Sequence, residues 1–200
     1  MSNKYFMDCE FIEDGHTIDL ISIGIVCEDG REYYAQSVEF DRHAASRWVL
    51  ENVFPHLAMC PWTVPNKVLS GTYYIDAELR SHKKGQCVDQ HRGLVHNCPW
   101  RTREQLKRDI QVFFNPSDGI ELWGWCAGYD WVAFCQLFGT MMDVPKGYPH
   151  YVHEFQQVLD ERGISDEELP KQEDGLHNAL ADARHLKKLW GYIIRNDCWQ

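Results

Sequence analysis

Two carboxylates, Asp8 and Glu10, lie two residues apart in the otherwise apolar run KYFMDCEFI. Side chains at positions i and i+2 of a β-strand point to the same face, so both carboxylates are expected on one face and Cys9 on the other. Two like charges in one patch raise each other's pKa unless a proton or a cation neutralises them. The pair therefore predicts a divalent-metal site. The alternative is an edge strand with one face exposed to solvent, where two carboxylates at this spacing are ordinary surface residues.

A third carboxylate, Asp130, follows the strand-like segment IELWGWCA at a strand-to-helix junction. Functional groups of α/β proteins collect at such junctions. An Asp in this place can also cap the following helix by accepting hydrogen bonds from its backbone N–H groups. Position alone favours the cap, and both roles stay open for Asp130.

The segment GLHNALADARHLKKLW places His177 and Asp182 among apolar residues typical of a packed helix. A carboxylate beside a packed surface needs a partner. Five residues of an ideal helix turn through roughly 140°, so the two side chains cannot face one cleft from the middle of a helix. His177 is therefore expected at or before the helix start, with Asn178 as its cap. Taken singly, His177 would be interpreted as a plain hydrogen-bonded histidine and Asp182 as an ordinary polar position.

The N-terminal elements predicted to position these residues are three strands and a helix. Residues 4–11 are expected to form the first strand, and TIDLISIGIVCEDGREYYAQSVEF two more, joined at the Asp29–Gly30 turn. These strands make a meander. The next segment, DRHAASRWVLENVF, predicts a helix whose apolar positions are Ala44, Trp48, Val49 and Val53.

The second half of the chain predicts further helices around one strand, which gives a mixed α/β order. A helix over TREQLKRDIQVFF begins with Thr102 and Gln105 in capping-box spacing. The strand IELWGWCA then runs into a buried helix over GYDWVAFCQLFG. Two more helices are expected at about 152–162, ended by Gly163, and at about 178–195.

Length and composition are those of one globular domain. The 200 residues, of which 44% are hydrophobic, are enough to bury a sizeable core. No apolar run is long enough to cross a membrane and no secretory signal is apparent, so we expect a cytoplasmic protein without a membrane partner. The eight cysteines are accordingly interpreted as mostly free, buried thiols. A net charge of −10 excludes strong binding to phosphate backbones by overall charge alone.

Residues 60–101 lack periodicity and are predicted to form a long irregular insertion. Seven basic residues stand against three acidic ones between Cys60 and Arg103, a surplus of four positive charges. Basic residues interleaved with aromatic ones suit single-stranded nucleic acid, whose bases stack while its phosphates pair with Lys or Arg. The aromatic residues are Trp62, Tyr73, Tyr74 and Trp100. The plainer interpretation is a solvated loop with a few anchoring aromatics.

The same insertion holds residues of the types that bind zinc. A non-catalytic nucleic-acid-binding module with a structural zinc in residues 60–98 is therefore an alternative function. The pattern contains no C-x-x-C pair, and its spacings fit no common zinc finger. The candidate ligands are Cys60, His82, Cys87, His91, His96 and Cys98.

Taken together, the acidic pair on a first strand, the Asp that begins a helix after a later strand and the His-x-x-x-x-Asp that opens the last helix resemble the DEDDh 3′–5′ exonucleases. Three stretches covering about a quarter of the chain are similar, more narrowly, to the bacterial polyadenylate-specific exoribonuclease family, RNase AS. They are DCEFIEDGHTIDLISIGIVCEDGREYYAQSVEFD, GYDWVAFCQLFG and HNALADARH. Phe11 stands where most DEDDh exonucleases carry a small hydroxyl residue, and the insertion is longer than in RNase AS.

The resemblance implies a fold and a set of metal ligands. The fold is an RNase H-like mixed sheet of five strands in the order 3-2-1-4-5, flanked by helices, in a single exonuclease domain over residues 1–200. Two Mg²⁺ or Mn²⁺ ions are expected in the active site, because oxygen donors select hard cations. Asp8 would bridge the two ions, Glu10 and Asp182 would complete the ion on the nucleophile side, and Asp130 would hold the second directly or through water.

The resemblance also implies the reaction. His177 is the candidate general base, since an imidazole can accept a proton near neutral pH. Phe11 and Trp131 are candidates for stacking on the terminal base. The expected activity is 3′–5′ hydrolysis of single-stranded RNA by a homodimer, and a preference for poly(A) rests on the resemblance alone. A DNA exonuclease or a trimmer of short oligonucleotides is the alternative enzyme.

Overall fold

The computed structural model describes residues 3–58, 99–114, 117 and 119–197, and in them a single mixed sheet. Its strands are β1 (Asn3–Glu13), β2 (Ile18–Cys27), β3 (Glu32–Ser37), β4 (Trp100–Arg101), β5 (Ile120–Gly124) and β6 (His153–Glu154). They lie in the order β4-β3-β2-β1-β5-β6. The first three strands form the expected antiparallel meander, while β5 pairs in parallel with both β1 and β6.

Helices cover both faces of this sheet. They are α1 (Arg47–Asn52), α2 (Arg103–Phe113), α3 (Gly128–Gln136), α4 (Phe155–Arg162) and α5 (Ala179–Asp197). Met7 of β1 belongs to a buried cluster with residues of α2 and α3 on one face. Phe6 belongs to a second cluster with residues of α4 and α5 on the opposite face. Alternate residues of β1 therefore point into separate layers, and the even-numbered ones face α5.

The expected strand order is confirmed for five of the six strands, since β3-β2-β1-β5-β6 corresponds to 3-2-1-4-5. The sheet also contains β4, which the sequence did not predict. This strand pairs in parallel with β3 over two residues, a length at which no alternation of side chains can be recognised. Pro99, just before it, accepts a hydrogen bond from the Gln36 backbone at 2.8 Å. The arrangement is compatible with an RNase H-like α/β fold.

The helix predicted over DRHAASRWVLENVF is wrong in extent. The chain forms a 3₁₀ turn at Arg42–Ala44 and then the short α1, because the Ser46 side chain caps a new helix by accepting from the Val49 N–H. Trp48, predicted among the apolar positions, is 53% exposed. The capping box of Thr102 with Gln105 at the start of α2 is confirmed.

Part of the predicted insertion lies outside the described residues. This applies to all six candidate zinc ligands and to the aromatic residues at positions 62, 73 and 74. Trp100, at the end of the insertion, is buried against residues that include Val53 and Phe54. Cys9 and Cys27 are free and buried as predicted, whereas Cys126 is exposed. Within the described part of the chain, no helix is long and apolar enough to cross a membrane.

Gly24 of β2 lets α5 approach the sheet very closely. It is the direct pairing partner of Asp8 on β1. A Cβ atom built at Gly24 would lie 2.3 Å from the carbonyl oxygen of Ala179 and 2.4 Å from the nitrogen of Leu180. Both contacts are with backbone at the start of α5, which no side-chain rotation can relieve. Only glycine therefore permits α5 to begin directly above Asp8.

Replacing Gly24 with Ala is expected to push the first turn of α5 away from the sheet. We expect a loss of unfolding free energy of about 1–3 kcal/mol, the usual cost of overpacking, measured by urea denaturation. Any function that needs residues of this turn close to Asp8 should decline with it. Gly191→Ala is the matched control, because nothing lies within 4 Å of a Cβ at this α5 position. Equal stability of the two variants would contradict the prediction.

Candidate active site

Three carboxylates that are far apart in the sequence meet beside the start of α5. Asp8 and Glu10 lie on the face of β1 that α5 covers, and Asp182 lies in the first turn of α5. One carboxylate oxygen from each of the three lies within 4.8 Å of the others. The sequence prediction that these residues converge is confirmed for the three side chains.

Asp130 reaches the same strand from α3. It lies in the first turn of α3, and its Oδ1 accepts a hydrogen bond from the backbone N–H of Cys9 at 2.7 Å. The bond joins Asp130 to the residue between Asp8 and Glu10. Its oxygens are not part of the close group of three. The alternative role as helix cap is wrong, because α3 has Ala127 at its N-cap position and no side-chain cap.

Burial and mutual repulsion raise the pKa values of these carboxyl groups. For Asp8, burial raises the pKa well above its ordinary value, and the charges of Asp130, Glu10 and Asp182 raise it further. Burial, followed by the charges of Asp182 and Asp130, raises the pKa of Glu10 to about 8. The pKa of Asp130 rises to about 6 through burial, which its hydrogen bond from Cys9 partly offsets.

The pKa of Asp182 is also raised by burial, against Gln172, His177 and His56, which lower it. Its Oδ1 accepts a hydrogen bond of 2.6 Å from Nε2 of Gln172, and its carboxylate accepts another from the backbone of His177. A cation placed among the three carboxylates would remove the repulsion that raises these pKa values. Carboxylate oxygens are the donors that Mg²⁺ and Mn²⁺ prefer, so the residues present fit such an ion.

His177 lies just before α5, as predicted. Its backbone φ is 63°, which is unusual for a residue other than glycine. Asn178 caps the helix, since its side-chain oxygen accepts from the Ala181 N–H at 3.1 Å. The imidazole meets the ring of Trp48 edge to face, with 4.8 Å between the ring centres. The turn before the helix thus brings His177 to the side of α5 where Asp182 lies.

A cleft of about 520 Å³ opens over this cluster. It is large enough for a nucleotide-sized ligand. The residues lining the cleft include two acids of the cluster, two histidines, an indole ring and a lysine: Asp8, Trp125, Lys171, Gln172, Leu176, His177, Asp182, His185 and Leu186. The cleft therefore offers acidic oxygens, a neighbouring imidazole and an aromatic wall in one space.

The family model described as the 3′-5′ exoribonuclease Rv2179c-like domain matches residues 3–194. The chain belongs to this exoribonuclease family. Similar relatives are the 3′-5′ exoribonuclease Rv2179c of Mycobacterium tuberculosis strain H37Rv and the 3′-5′ exoribonuclease MT2234.1 of strain CDC 1551. Each is 38% identical to this chain over 196 residues, which cover 97% of the chain and 95% of the relative.

The two aromatic residues predicted to bind nucleotide lie apart from the lining of the cleft in this Rv2179c-like domain. Phe11 is half-buried, and its ring stacks on that of Tyr129 with 5.8 Å between centres and 25° between planes. Trp131 is half-buried against Phe134, at 5.5 Å and 18°. Tyr129 is 56% exposed, so the outer face of the Phe11–Tyr129 pair is open to solvent.

Sequence reasoning missed several residues that shape the Rv2179c-like site. Gln172 bonds to Asp182, Trp48 contacts His177, and Trp125 lines the cleft. The contact of Trp48 with His177 joins residues more than a hundred positions apart, and no local spacing predicts such a contact. Gln172 precedes α5 in a segment without periodicity. For Trp125 a signal existed, because it directly follows β5 and residues after a strand end often face a site.

Proposed function

We propose that this Rv2179c-like domain is a DEDDh-type exoribonuclease that removes nucleotides from the 3′ end of single-stranded RNA in a reaction dependent on two Mg²⁺ or Mn²⁺ ions, with poly(A) preferred. The observation that carries the proposal is the convergence of Asp8, Glu10 and Asp182. The first and last of these line one cleft together with His177. Membership of a 3′-5′ exoribonuclease family supports the direction of cleavage and RNA as the substrate. The poly(A) preference comes from the resemblance to RNase AS.

The acidic residues would hold the cations and place them at the scissile phosphate. When bound, the ions supply Lewis acidity and charge neutralisation to phosphodiester hydrolysis. Asp8, Glu10 and Asp182 would hold one ion, and Asp8 would also help to hold the other. Asp130, whose carboxylate accepts from the Cys9 N–H, would contribute to the second ion directly or through water. Gln172 keeps the Asp182 carboxylate oriented through its 2.6 Å hydrogen bond.

His177 acts as the general base. A ring nitrogen of its imidazole accepts the proton of the attacking water, a role suited to an imidazole at the edge of the cleft. The Asn178 cap fixes the backbone and the edge contact with Trp48 limits ring rotation. Passive orientation of the water is the alternative role.

Replacing His177 with Ala is expected to lower turnover about a hundredfold, within the usual range for a general base, while metal binding persists. The ascending limb of the pH–rate profile should disappear, because that limb reports deprotonation of the base. Initial rates measured on labelled RNA from about pH 5.5 to 9 test this. His185→Ala is the control, since this second histidine of the cleft is not assigned to proton transfer. An unchanged profile in His177→Ala would remove the general-base role.

The terminal base is proposed to stack on Phe11 with the help of Tyr129. Aromatic faces bind bases without hydrogen bonds and contribute about 1–3 kcal/mol per base. The pair lies beside the catalytic carboxylates in the sequence, since Phe11 follows Glu10 and Tyr129 precedes Asp130. Trp131, which packs against Phe134, is the second candidate for stacking on the base.

The deciding experiment compares 20-nucleotide strands of A, U or C, and deoxy-A, each labelled at the 5′ end and incubated with Mg²⁺. Stepwise shortening from the 3′ end, fastest on ribo-A, is the expected result. Faster shortening of deoxy-A than of ribo-A would favour the DNA exonuclease. Shortening of a five-nucleotide ribo-A strand, included for comparison, without shortening of the 20-nucleotide strands would favour the short-oligonucleotide trimmer. Internal cuts would overturn the exonuclease proposal.

A homodimer, as the resemblance to RNase AS implies, and a cytoplasmic location complete the proposal. Sedimentation velocity should give a single species of about twice the 23.5 kDa chain mass. A monomer at every concentration would remove this part and leave the catalytic proposal intact.

A further inference from the structure

One carboxylate outside the acidic cluster, that of Glu154, accepts backbone hydrogen bonds at the start of two helices. Its Oε1 lies 2.7 Å from the Cys126 nitrogen and its Oε2 lies 2.9 Å from the Ala127 nitrogen, just before α3. Oε1 also accepts from the Gln156 nitrogen at 3.1 Å, in the first turn of α4. Glu154 therefore caps α4, the helix that follows it, and holds the backbone segment that leads into α3.

The start of α3 depends on this carboxylate because the helix has no cap of its own. Ala127 stands at the N-cap position and provides no side-chain oxygen. Cys126 has a φ of 52°, a conformation that costs free energy for a residue other than glycine. In this conformation two consecutive N–H groups point at one anion, as they do in backbone anion-binding nests. The Glu154 carboxylate thus stabilises backbone that would otherwise relax.

The backbone at Cys126 and Ala127, which the Glu154 carboxylate holds, determines where Asp130 lies. Asp130 is three residues after Ala127 in the first turn of α3, and its carboxylate reaches the Cys9 N–H at 2.7 Å. A shift in the start of α3 would carry Asp130 away from β1. The adjoining Trp125, which lines the cleft, is tied to the same place, because its Nε1 donates to Oε1 of Gln156 at 3.1 Å.

We infer that Glu154 is a positioning residue that acts on the reaction through Asp130. The inference rests on the proposed function, in which Asp130 is a metal-binding carboxylate. Loss of a group that orients a metal ligand usually lowers activity or metal affinity about 10–100-fold. An amide at this position offers one acceptor oxygen in place of two, so Glu154→Gln would release one of the two N–H groups before α3.

The test compares Glu154→Gln with Glu161→Gln, an identical chemical change on the same α4. Glu161 is exposed and bonds to Gln157 in its own helix, so this control should behave as wild type. In Glu154→Gln we expect about a tenfold lower kcat with KM nearly unchanged. The Mn²⁺ affinity of RNA-free protein, measured by calorimetry, should also fall about tenfold. Glu154→Asp keeps the charge on a shorter side chain, so its kcat and Mn²⁺ affinity should lie between those of Glu154→Gln and Glu161→Gln. It replaces Glu154→Gln in the test if that variant does not fold.

A double-mutant cycle with Asp130→Asn separates positioning from a general loss of structure. If Glu154 acts through Asp130, then Glu154→Gln should change kcat and Mn²⁺ affinity less than twofold in the Asp130→Asn background. Fully additive effects, or a Glu154→Gln variant with wild-type kcat and Mn²⁺ affinity, would overturn the inference. A larger loss than in Asp130→Asn itself would make Glu154 a direct participant and also overturn it. If wild type releases no nucleotides, the proposed function fails, and the Mn²⁺ cycle still decides the role of Glu154.

Discussion

Replacing Asp182 with Asn is expected to lower the rate of RNA hydrolysis about a thousandfold, since a bound cation contributes several kcal/mol of transition-state stabilisation. Asn keeps the shape of the side chain, and its carbonyl oxygen can still accept the hydrogen bond from Gln172. It removes the charge that a cation requires. Mn²⁺ binding, measured by calorimetry on RNA-free protein, should be lost together with the activity.

The thermal stability of Asp182→Asn distinguishes a loss of metal binding and activity from misfolding. Asp182 raises the pKa of both Asp8 and Glu10, so without metal the Asn variant relieves repulsion and should unfold at the same or a higher temperature than wild type. Asp174→Asn is the control, because Asp174 is exposed in the segment before α5. If Asp182→Asn retains wild-type activity while the control does too, the acidic cluster is not the catalytic site.

Removal of metal is expected to abolish hydrolysis and to make the stability of the protein depend on pH. The pKa of Glu10 is raised to about 8 and that of Asp130 to about 6, above the values of roughly 4 found in unfolded chains. Between these values the folded protein binds more protons than the unfolded chain, so the unfolding free energy falls as pH rises. For these two groups, the destabilisation is absent below about pH 4 and complete above about pH 8.

Thermal unfolding in EDTA and in excess Mg²⁺, from about pH 5 to 9, measures this dependence. The melting temperature in EDTA should fall as pH rises, and the stabilisation by Mg²⁺ should grow, because a cation competes with protons for the same oxygens. Asp29, whose pKa is lowered to about 2 by the Arg31 backbone and side chain, affects stability only at more acid pH. Glu10→Gln should flatten the slope. A melting temperature in EDTA that rises over this range would contradict the prediction.

The elements that carry the acidic residues were predictable from local signals, whereas the convergence of these residues was expected from the resemblance. Asp8 and Glu10 share a strand face through the two-residue repeat, and the strand is bounded by recognisable turns. The place of His177 before α5 followed from the helical repeat, which excluded a shared face with Asp182 from mid-helix. The strand order came from the resemblance, since local patterns identify strands and do not say which of them pair.

The residues that hold the elements of the site in place could not be predicted in the same way. Glu154 accepts hydrogen bonds from the backbone N–H groups of Cys126 and Ala127. These bonds depend on the pairing of β5 with β6 and on the positive φ of Cys126, a conformation that cysteine rarely adopts. The closeness of α5 to β2 depends on Gly24, and a glycine within a strand pattern signals only that something approaches or bulges. Trp48 looked like a core position because α1 was expected to be longer.

The wide separation of the acidic residues along the chain has a consequence during translation. Asp8 and Glu10 leave the ribosome early and Asp182 leaves it late, and domains tend to fold in that order. In the proposed metal-dependent mechanism, an unfinished polypeptide without Asp182 would lack one of the three carboxylates that hold the cations. The proposed activity would then arise only after α5 has been synthesised and has packed against β2, the strand that contains Gly24.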